Sequence, residues 1–143
     1  MSYANKTTVS IENSQMEAQK LLQKYGAAKF AIDWQKNQIL FELKGRSARI
    51  QIRLPEKKAF EYTPKHLKRQ LAQVDAVYDQ ACRQRWRALV LVLKAKLEAI
   101  ESGITTLDNE FMPYFILQNG MTLADYVIPQ LSQPDLLPQL PME

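Results

Sequence analysis

Three closely spaced arginines, Arg83, Arg85 and Arg87, are the side chains of this sequence with the clearest chemical potential. The planar guanidinium of arginine can donate two parallel hydrogen bonds to a phosphate or a carboxylate, so the cluster predicts an anion-binding site. Other basic residues extend it into a candidate nucleic-acid-binding set with four further members: Lys94, Lys44, Arg49 and Arg53. The chemistry that this set predicts is the binding of a polyanion, without bond making or breaking.

Residues suited to catalysis or metal binding are sparse. His66 is the only histidine and lies in the basic segment PKHLKRQ, where a solvated side chain is expected and a catalytic base is not. The single Cys82 rules out an internal disulfide and a cysteine zinc site. Asp108, Glu110 and Asp125 would have to converge to hold a cation, and their spacing is weak support for that. We therefore predict a protein that is not an enzyme, with no catalytic residue, metal or cofactor.

Charge is distributed unevenly along the chain. Within the net charge of +4, residues 1–43 carry +1, residues 44–96 carry +10 and residues 97–143 carry −7. Two interpretations stay open. The basic middle binds an external polyanion such as DNA or RNA, or it pairs with the acidic end within the fold or between subunits.

Two basic side chains lie within the apolar stripe of a long helix that the sequence predicts for residues 64–102. At about 100° per residue, Arg85 and Lys96 project within the stripe. Three further basic residues of this helix form a separate row near Glu101 that could be solvated: Arg83, Arg87 and Lys94. A charge within an apolar stripe is usually exposed by snorkelling, paired with a carboxylate or pointed into a pocket. The acidic residues of the C-terminal part are the candidate partners, and the alternative is that the arginines bind an external anion.

The same stripe defines a long central helix. Thr63 is a suitable cap, Pro64 is favoured at the first helical position, and Gly103 can end the helix. Apolar residues recur along it with nearly helical spacing: Leu67, Leu71, Val74, Tyr78, Cys82, Trp86, Leu89, Leu93, Leu97 and Ile100. A continuous helix to residue 102 would approach 58 Å at about 1.5 Å per residue, so it projects or breaks near residues 79–83. Apolar side chains surround residues 88–93, which predicts burial on most sides.

The N-terminal part predicts one short helix after a polar segment. Ser14 followed by Glu17 fits a capping box, which places the helix over residues 15–25 with Gly26 at its end. Its narrow apolar stripe has four members: Met16, Leu21, Leu22 and Tyr25. Residues 1–9 predict a flexible arm or a short edge strand.

Alternation of apolar and polar residues then predicts a three-stranded antiparallel meander. Its apolar face would carry three sets of residues: Phe30, Ile32 and Trp34; Ile39, Phe41 and Leu43; Ala48, Ile50, Ile52 and Leu54. The opposite face is mostly basic: Lys29, Glu42, Lys44, Arg49, Gln51 and Arg53. This face could track phosphates, but it carries no aromatic residue for base stacking, which favours an ordinary solvated surface.

The C-terminal part predicts three small elements and a tail. The elements are a helical turn over residues 108–112 capped by Thr106, a hairpin at Asn119-Gly120, and a helix over residues 123–131 capped by Thr122 and Asp125. Residues 132–143 contain three prolines and predict an extended tail.

These elements together predict an α+β fold. A three-stranded antiparallel meander packs against a long central helix, with a short N-terminal helix and a C-terminal hairpin plus helix. Residues 1–131 would form a single domain. The polar N-terminus gives no sign of a signal peptide, and the longest apolar run, residues 88–93, is far short of the roughly 20 residues of a membrane span. We expect a cytoplasmic protein with no membrane partner.

The segments RQRWRALVLVLKAKLEAIESGI and EFMPYFILQNGMTLADYVIPQL resemble an uncharacterised family of small proteins encoded by tailed phages and prophages. LLQKYGAAKF near the N-terminus is similar as well, so the resemblance covers most of the chain. The signature residues are Arg83, Arg85, Trp86, Arg87, Lys94, Lys96, Leu97 and Glu98. The hairpin departs from the family pattern, because LQNG stands where an acidic residue is expected before the glycine.

The resemblance implies an accessory phage protein that acts in the cytoplasm of a bacterial host. It brings no known activity and no catalytic residues. We expect a non-enzymatic protein that binds DNA or RNA through its basic central region. The alternative is a module that binds a host or phage protein, such as an inhibitor of a host defence system or a structural, homo-oligomeric phage component.

Overall fold

The structure is a computed structural model that describes residues 7–139 and 141 of the chain. Within this part it contains four α-helices and three strands: α1 (Ile11–Lys24), β1 (Ala27–Asp33), β2 (Gln38–Leu43), β3 (Arg46–Gln51), α2 (Leu71–Glu101), α3 (Leu107–Phe111) and α4 (Leu123–Val127). The strands form one antiparallel sheet in the order β1-β2-β3. The predicted α+β fold, a meander with a long central helix, is confirmed. The predicted arm lies mostly outside the described residues, because its first six positions are not among them.

The alternation of the strands places their apolar residues on one face. Phe30 pairs with Phe41, and Ile32 pairs with Ile39, in the antiparallel register of β1 and β2. Ile39 in turn pairs with Ile50 of β3. Residues that pair directly across antiparallel strands project to the same side, so the three strands present one apolar surface.

Trp34 does not belong to that face, and its prediction is wrong. β1 ends at Asp33, whose carboxylate oxygen accepts hydrogen bonds from the backbone N–H groups of Gln35 and Lys36, both at 3.1 Å. This local turn takes the chain out of the strand one residue before Trp34 would be reached. The indole is 61% exposed.

α2 lies against the apolar face and is one unbroken helix of 31 residues, about 47 Å long. Four of its six buried residues belong to one core cluster with the sheet, α1 and α3: Trp86, Val90, Leu93 and Leu97. The break considered near residues 79–83 does not occur. The helix projects at its N-terminal end instead, where Leu71 is 74% exposed.

The predicted start of the long helix is wrong by seven residues. Residues 61–69 form a narrow hairpin, in which Tyr62 and Lys68 are bridged and Thr63 N–H donates to the carbonyl of Leu67 at 2.8 Å. The hydroxyl of Thr63 accepts from the backbone N–H of Leu67 at 3.1 Å. A Thr-Pro pair suits a turn as well as a helix start, and here the turn is formed. The cap of α2 is Gln70, in a reciprocal box with Gln73.

Residues 88–93 are less enclosed than their composition predicts. Val90 and Leu93 are fully buried, but Val92 is 47% exposed on the other side of α2. The sheet covers one side of the helix, and α1 packs along it as well. The prediction of burial on most sides is therefore wrong for Val92.

The first helix begins earlier than predicted. Its cap is Ser10, whose hydroxyl accepts from the backbone N–H of Asn13 at 3.1 Å. Ser14, the predicted cap, lies inside α1 and is fully buried. The buried side of α1 contains Ala18 and Leu22, whereas Met16 of the predicted stripe is 52% exposed.

The C-terminal part packs against the sheet at β2 and β3. Thr106 caps α3 as predicted, and Phe111 at the end of α3 packs edge-on against Phe41 with ring centroids 6.0 Å apart. Phe115 then forms a bridge with Ala48 of β3, which adds a short segment beside this edge strand.

The tight turn at Asn119-Gly120 and the last helix follow in order. Gly120 has a φ of 85°, and Leu117 N–H donates to the carbonyl of Met121 at 2.8 Å. Thr122 and Asp125 form the predicted capping box of α4. A 3₁₀ turn, Ile128–Ser132, continues α4, and residues 133–139 are exposed. No helix in the described part of the chain has the length and apolarity that crossing a membrane requires.

Candidate nucleic-acid interface

Arg87 of the predicted arginine cluster is bound to α1. Its guanidinium donates to both carboxylate oxygens of Glu17, at 2.5 and 3.0 Å, and its side chain is 16% exposed. Hydrogen bonding to Arg87 lowers the pKa of Glu17, and the same bond raises the pKa of Arg87. A cation held this way has little surface left for an external phosphate.

The rest of the predicted row also faces α1 and the segment before it. Arg83 donates to the side-chain oxygen of Gln80 at 2.5 and 3.1 Å, while the amide nitrogen of Gln80 donates to the carbonyl of Thr7. Lys94 is exposed, and its charge contributes to the lowered pKa of Glu17. Arg83 is therefore hydrogen-bonded within α2, and Lys94 keeps an exposed charge near the Arg87–Glu17 pair.

Acidic residues of the C-terminal part pair with three cations of the basic middle. Three ion pairs join them: Arg46 with Asp108 at 3.3 Å, Arg49 with Asp125 at 3.7 Å and Lys96 with Glu110 at 3.7 Å. The three carboxylates thus contact three different cations. Among residues 7–139, no group of three or more histidine, cysteine or carboxylate side chains is placed to hold a metal ion. The internal pairing considered for Lys96 is present.

Lys44 lies away from the other predicted residues. It occupies the two-residue turn between β2 and β3 with a φ of 50°, beside Leu97 and Glu101 near the end of α2. Glu101 and Arg85 are sixteen positions apart on α2, about 24 Å along the helix axis. Lys44 and Arg85 therefore do not form one compact site.

Arg85 and Arg53 are brought together. A guanidinium N–H of Arg85 donates to the backbone carbonyl of Arg53 at 2.8 Å, and both residues are exposed. This contact joins α2 to the segment that follows β3. Of the alternatives considered for Arg85, the guanidinium is exposed, and within the described residues it donates to a backbone oxygen and not to a carboxylate of the acidic end.

A basic surface that the prediction missed adjoins this pair. We define the basic loop surface as Arg53, Lys57, Lys58, Lys65, Lys68 and Arg85. Residues 53–70 carry a net charge of +4. The density of lysines in EKKAFEYTPKHLKRQ could have revealed this surface. The prediction assigns the second half of this segment to the long helix, where its lysines would point in different directions.

Several contacts fix the backbone of this surface to α2. Arg69 donates from one guanidinium nitrogen to the carbonyls of Phe60 and Tyr62, at 3.0 and 3.1 Å. The ring of Phe60 packs against that of Tyr78 at 6.4 Å. Lys57 contacts Asp75 of α2, which raises the pKa of the lysine. The surface is thus preorganised rather than carried on a loose loop.

Comparison of the chain with models of protein families, with curated proteins and with solved structures finds no match. The function of the chain is therefore inferred from the arrangement of its own residues and from the resemblance of residues 83–104 to the family of phage and prophage proteins.

Proposed function

We propose that this protein is a non-enzymatic accessory protein of a tailed phage that binds nucleic acid in the bacterial cytoplasm. The observation that carries the proposal is the position of the unpaired cations. Arg49 and Arg87 are bound to carboxylates, whereas Lys58, Lys65 and Lys68 have no such partner among the described residues. Positive charge available to a polyanion is therefore dense on the basic loop surface, where these three lysines fall within eleven residues.

Arg85 extends the basic loop surface along one side of α2. At about 100° per residue, Val74, Tyr78 and Arg85 share one side of the helix, and Val74 and Arg85 are about 16 Å apart along the axis. Cations at both ends of this interval could contact non-adjacent phosphates of one strand. Such contacts supply affinity without reading sequence, so we propose binding with little sequence preference.

The chemistry of the described side chains supports binding and not catalysis. His66 is exposed at the tip of the hairpin, with a φ of 64° and no carboxylate partner within residues 7–139. Cys82 is buried in α2, where a nucleophile could not reach a substrate. Proton transfer to a substrate requires a positioned acid or base, and neither residue is so placed.

Binding of fluorescent single-stranded DNA and RNA, measured by anisotropy at low and moderate salt, tests the proposal. We expect binding at low salt that weakens steeply as salt rises, because bound phosphates release their counterions. Absence of binding to DNA, RNA and duplex at low salt would contradict it.

A second candidate function is binding of a host or phage protein, and one observation favours it. The C-terminal part exposes several large apolar side chains: Tyr126, Ile128, Leu131, Leu136 and Leu137, each 42% to 60% exposed. Exposed apolar side chains that form a patch often mark a protein interface. A pull-down from host lysate with and without nuclease separates the two candidates. A partner retained after nuclease treatment, with no affinity of the pure protein for nucleic acid, would favour protein binding.

A further inference from the structure

A cavity of about 490 Å³ lies between the narrow hairpin of residues 61–69 and the first turns of α2. Pockets that bind small ligands usually fall between about 300 and 1,000 Å³, so this one is large enough for a nucleotide. Leu71 and Val74 of α2 form its apolar wall, and Tyr62 and Lys68 line it from the hairpin.

The charged groups around this cavity fall into two classes. Lys57 contacts Asp75, and Arg69 donates to two backbone carbonyls, so both help to hold the fold. Lys58 and Lys68 are exposed and have no polar partner in the described part of the chain. The one carboxylate in the lining is that of Glu61. Two ammonium groups are therefore free to bind a phosphate.

An exposed aromatic ring stands beside one of these lysines. Tyr62 is 53% exposed and is bridged directly to Lys68 across the hairpin. Side chains at directly opposed positions leave the backbone on the same side, about 5 Å apart at Cβ. The backbone N–H of Arg69 donates to the carbonyl of Glu61 at 2.8 Å and closes the base of the hairpin. Ring and ammonium are thus presented together by a fixed backbone.

We propose that this cavity binds one nucleotide of a single strand, with the base stacked on Tyr62 and the adjacent phosphate between Lys58 and Lys68. This inference rests on the proposed function and adds a site and a preference for single strands. Stacking on an aromatic side chain requires a base that is free of its own duplex stack. An acidic peptide could satisfy the two lysines, but it brings no flat ring to cover Tyr62 and the apolar wall at Leu71.

The test is the affinity of the full chain for labelled oligothymidylate and for a duplex of equal length. We expect tighter binding of the single strand. Tyr62→Ala should weaken it about tenfold, since stacking of one base contributes about 1 to 3 kcal/mol, and Tyr62→Phe should bind like the unaltered protein. Tyr126→Ala is the matched control, because Tyr126 is 52% exposed in α4 and should not change the affinity.

The phosphate contact is tested separately with Lys58→Gln and Lys68→Gln. Each should reduce the salt dependence of single-strand binding by about 0.7 in the slope of log K against log salt. Both lysines are exposed, so these variants keep the test open if Tyr62→Ala fails to fold. Competition with polyglutamate should displace oligothymidylate far less effectively than unlabelled oligothymidylate does.

The results separate the two proposals. If binding of the single strand is unchanged in Tyr62→Ala, or in both lysine variants, the cavity is not the nucleotide site, and nucleic-acid binding itself is not contradicted. Tighter binding of the duplex, or equal displacement by polyglutamate, also overturns the cavity. No binding of either oligonucleotide overturns the proposed function together with the cavity.

Discussion

The guanidinium of Arg87 donates to both carboxylate oxygens of Glu17, at 2.5 and 3.0 Å, across 70 positions of the chain. The pair joins α2 to α1 and is partly buried between them. Arg87 belongs by sequence to the arginine cluster that predicts anion binding, and its anion is supplied by the protein itself. We therefore expect external phosphate to bind at the basic loop surface and not at Arg87.

The first prediction concerns the pH dependence of this pair. The pKa of Glu17 is lowered from 4.5, so the unfolded chain binds a proton at a pH where the folded protein does not. The stabilisation is complete above about pH 4.5 and is lost as pH falls through the lower pKa of the folded state. At pH 7, Glu17→Gln should cost about 1 kcal/mol in urea unfolding, and the difference should shrink in acid. Glu56→Gln, at an exposed site, is the control. A cost that does not vary with pH would contradict the role of the pair.

The second prediction distinguishes the two serines near the start of α1. Ser10→Ala should lower the free energy of unfolding by about 1 kcal/mol, because it removes the hydroxyl that accepts from Asn13 N–H. Ser14→Ala should leave it unchanged or raise it, because the buried hydroxyl of Ser14 has no hydrogen-bond partner within residues 7–139. Chemical denaturation of both variants checks this. The reverse order of stabilities would restore Ser14 as the cap.

The difference between the two serines shows what the sequence reveals about a helix end. Ser14 is followed three positions later by Glu17 and fits a capping box, whereas Ser10 is followed by Asn13, so the local pattern favours the serine that is not the cap. The choice depends on which turn of α1 packs against α2, a contact between distant segments. Similarly, Thr63 and Pro64 satisfy a helix start and a hairpin turn equally well, and hydrogen bonds from residues 67–69 decide for the turn.

The strands could be predicted from the sequence because their pattern is local and does not depend on contacts between distant segments. The side-chain period of two in β2 and β3 is fixed by the pleat, so Ile39, Phe41 and Ile50 read directly as one face. The candidate site was not predictable in this way. Its cations are visible in the sequence, but which of them keep a free charge depends on tertiary contacts such as Arg49 with Asp125.

The third prediction tests the placement of α2 across the sheet. Leu93→Ala should destabilise the protein by about 2 to 5 kcal/mol, because Leu93 is fully buried in the core cluster. Val92→Ala, one position earlier and 47% exposed, should cost less than about 1 kcal/mol. Urea denaturation measures both. Equal effects of the two variants would refute the orientation of the helix.

The fourth prediction concerns the turn between β2 and β3. Lys44 and Gly45 have φ values of 50° and 78°, a pair of positive values that asparagine followed by glycine adopts more readily. Lys44→Asn should therefore raise the melting temperature by a few degrees, the expected effect of about 0.5 kcal/mol in a chain of this size. It should also leave nucleic-acid affinity nearly unchanged at moderate salt, because Lys44 lies far from the basic loop surface. A large loss of affinity would return Lys44 to the binding site.

The most direct test of the account compares the salt dependence of single-strand binding in two triple variants. Lys58→Gln, Lys65→Gln and Lys68→Gln together should reduce the slope of log K against log salt by about 2, since each lost phosphate contact contributes about 0.7. Arg49→Gln, Arg83→Gln and Lys44→Gln together remove the same number of charges and should leave the slope nearly unchanged. The opposite result, a slope lost in the second variant and kept in the first, would contradict the claim that the basic loop surface binds nucleic acid.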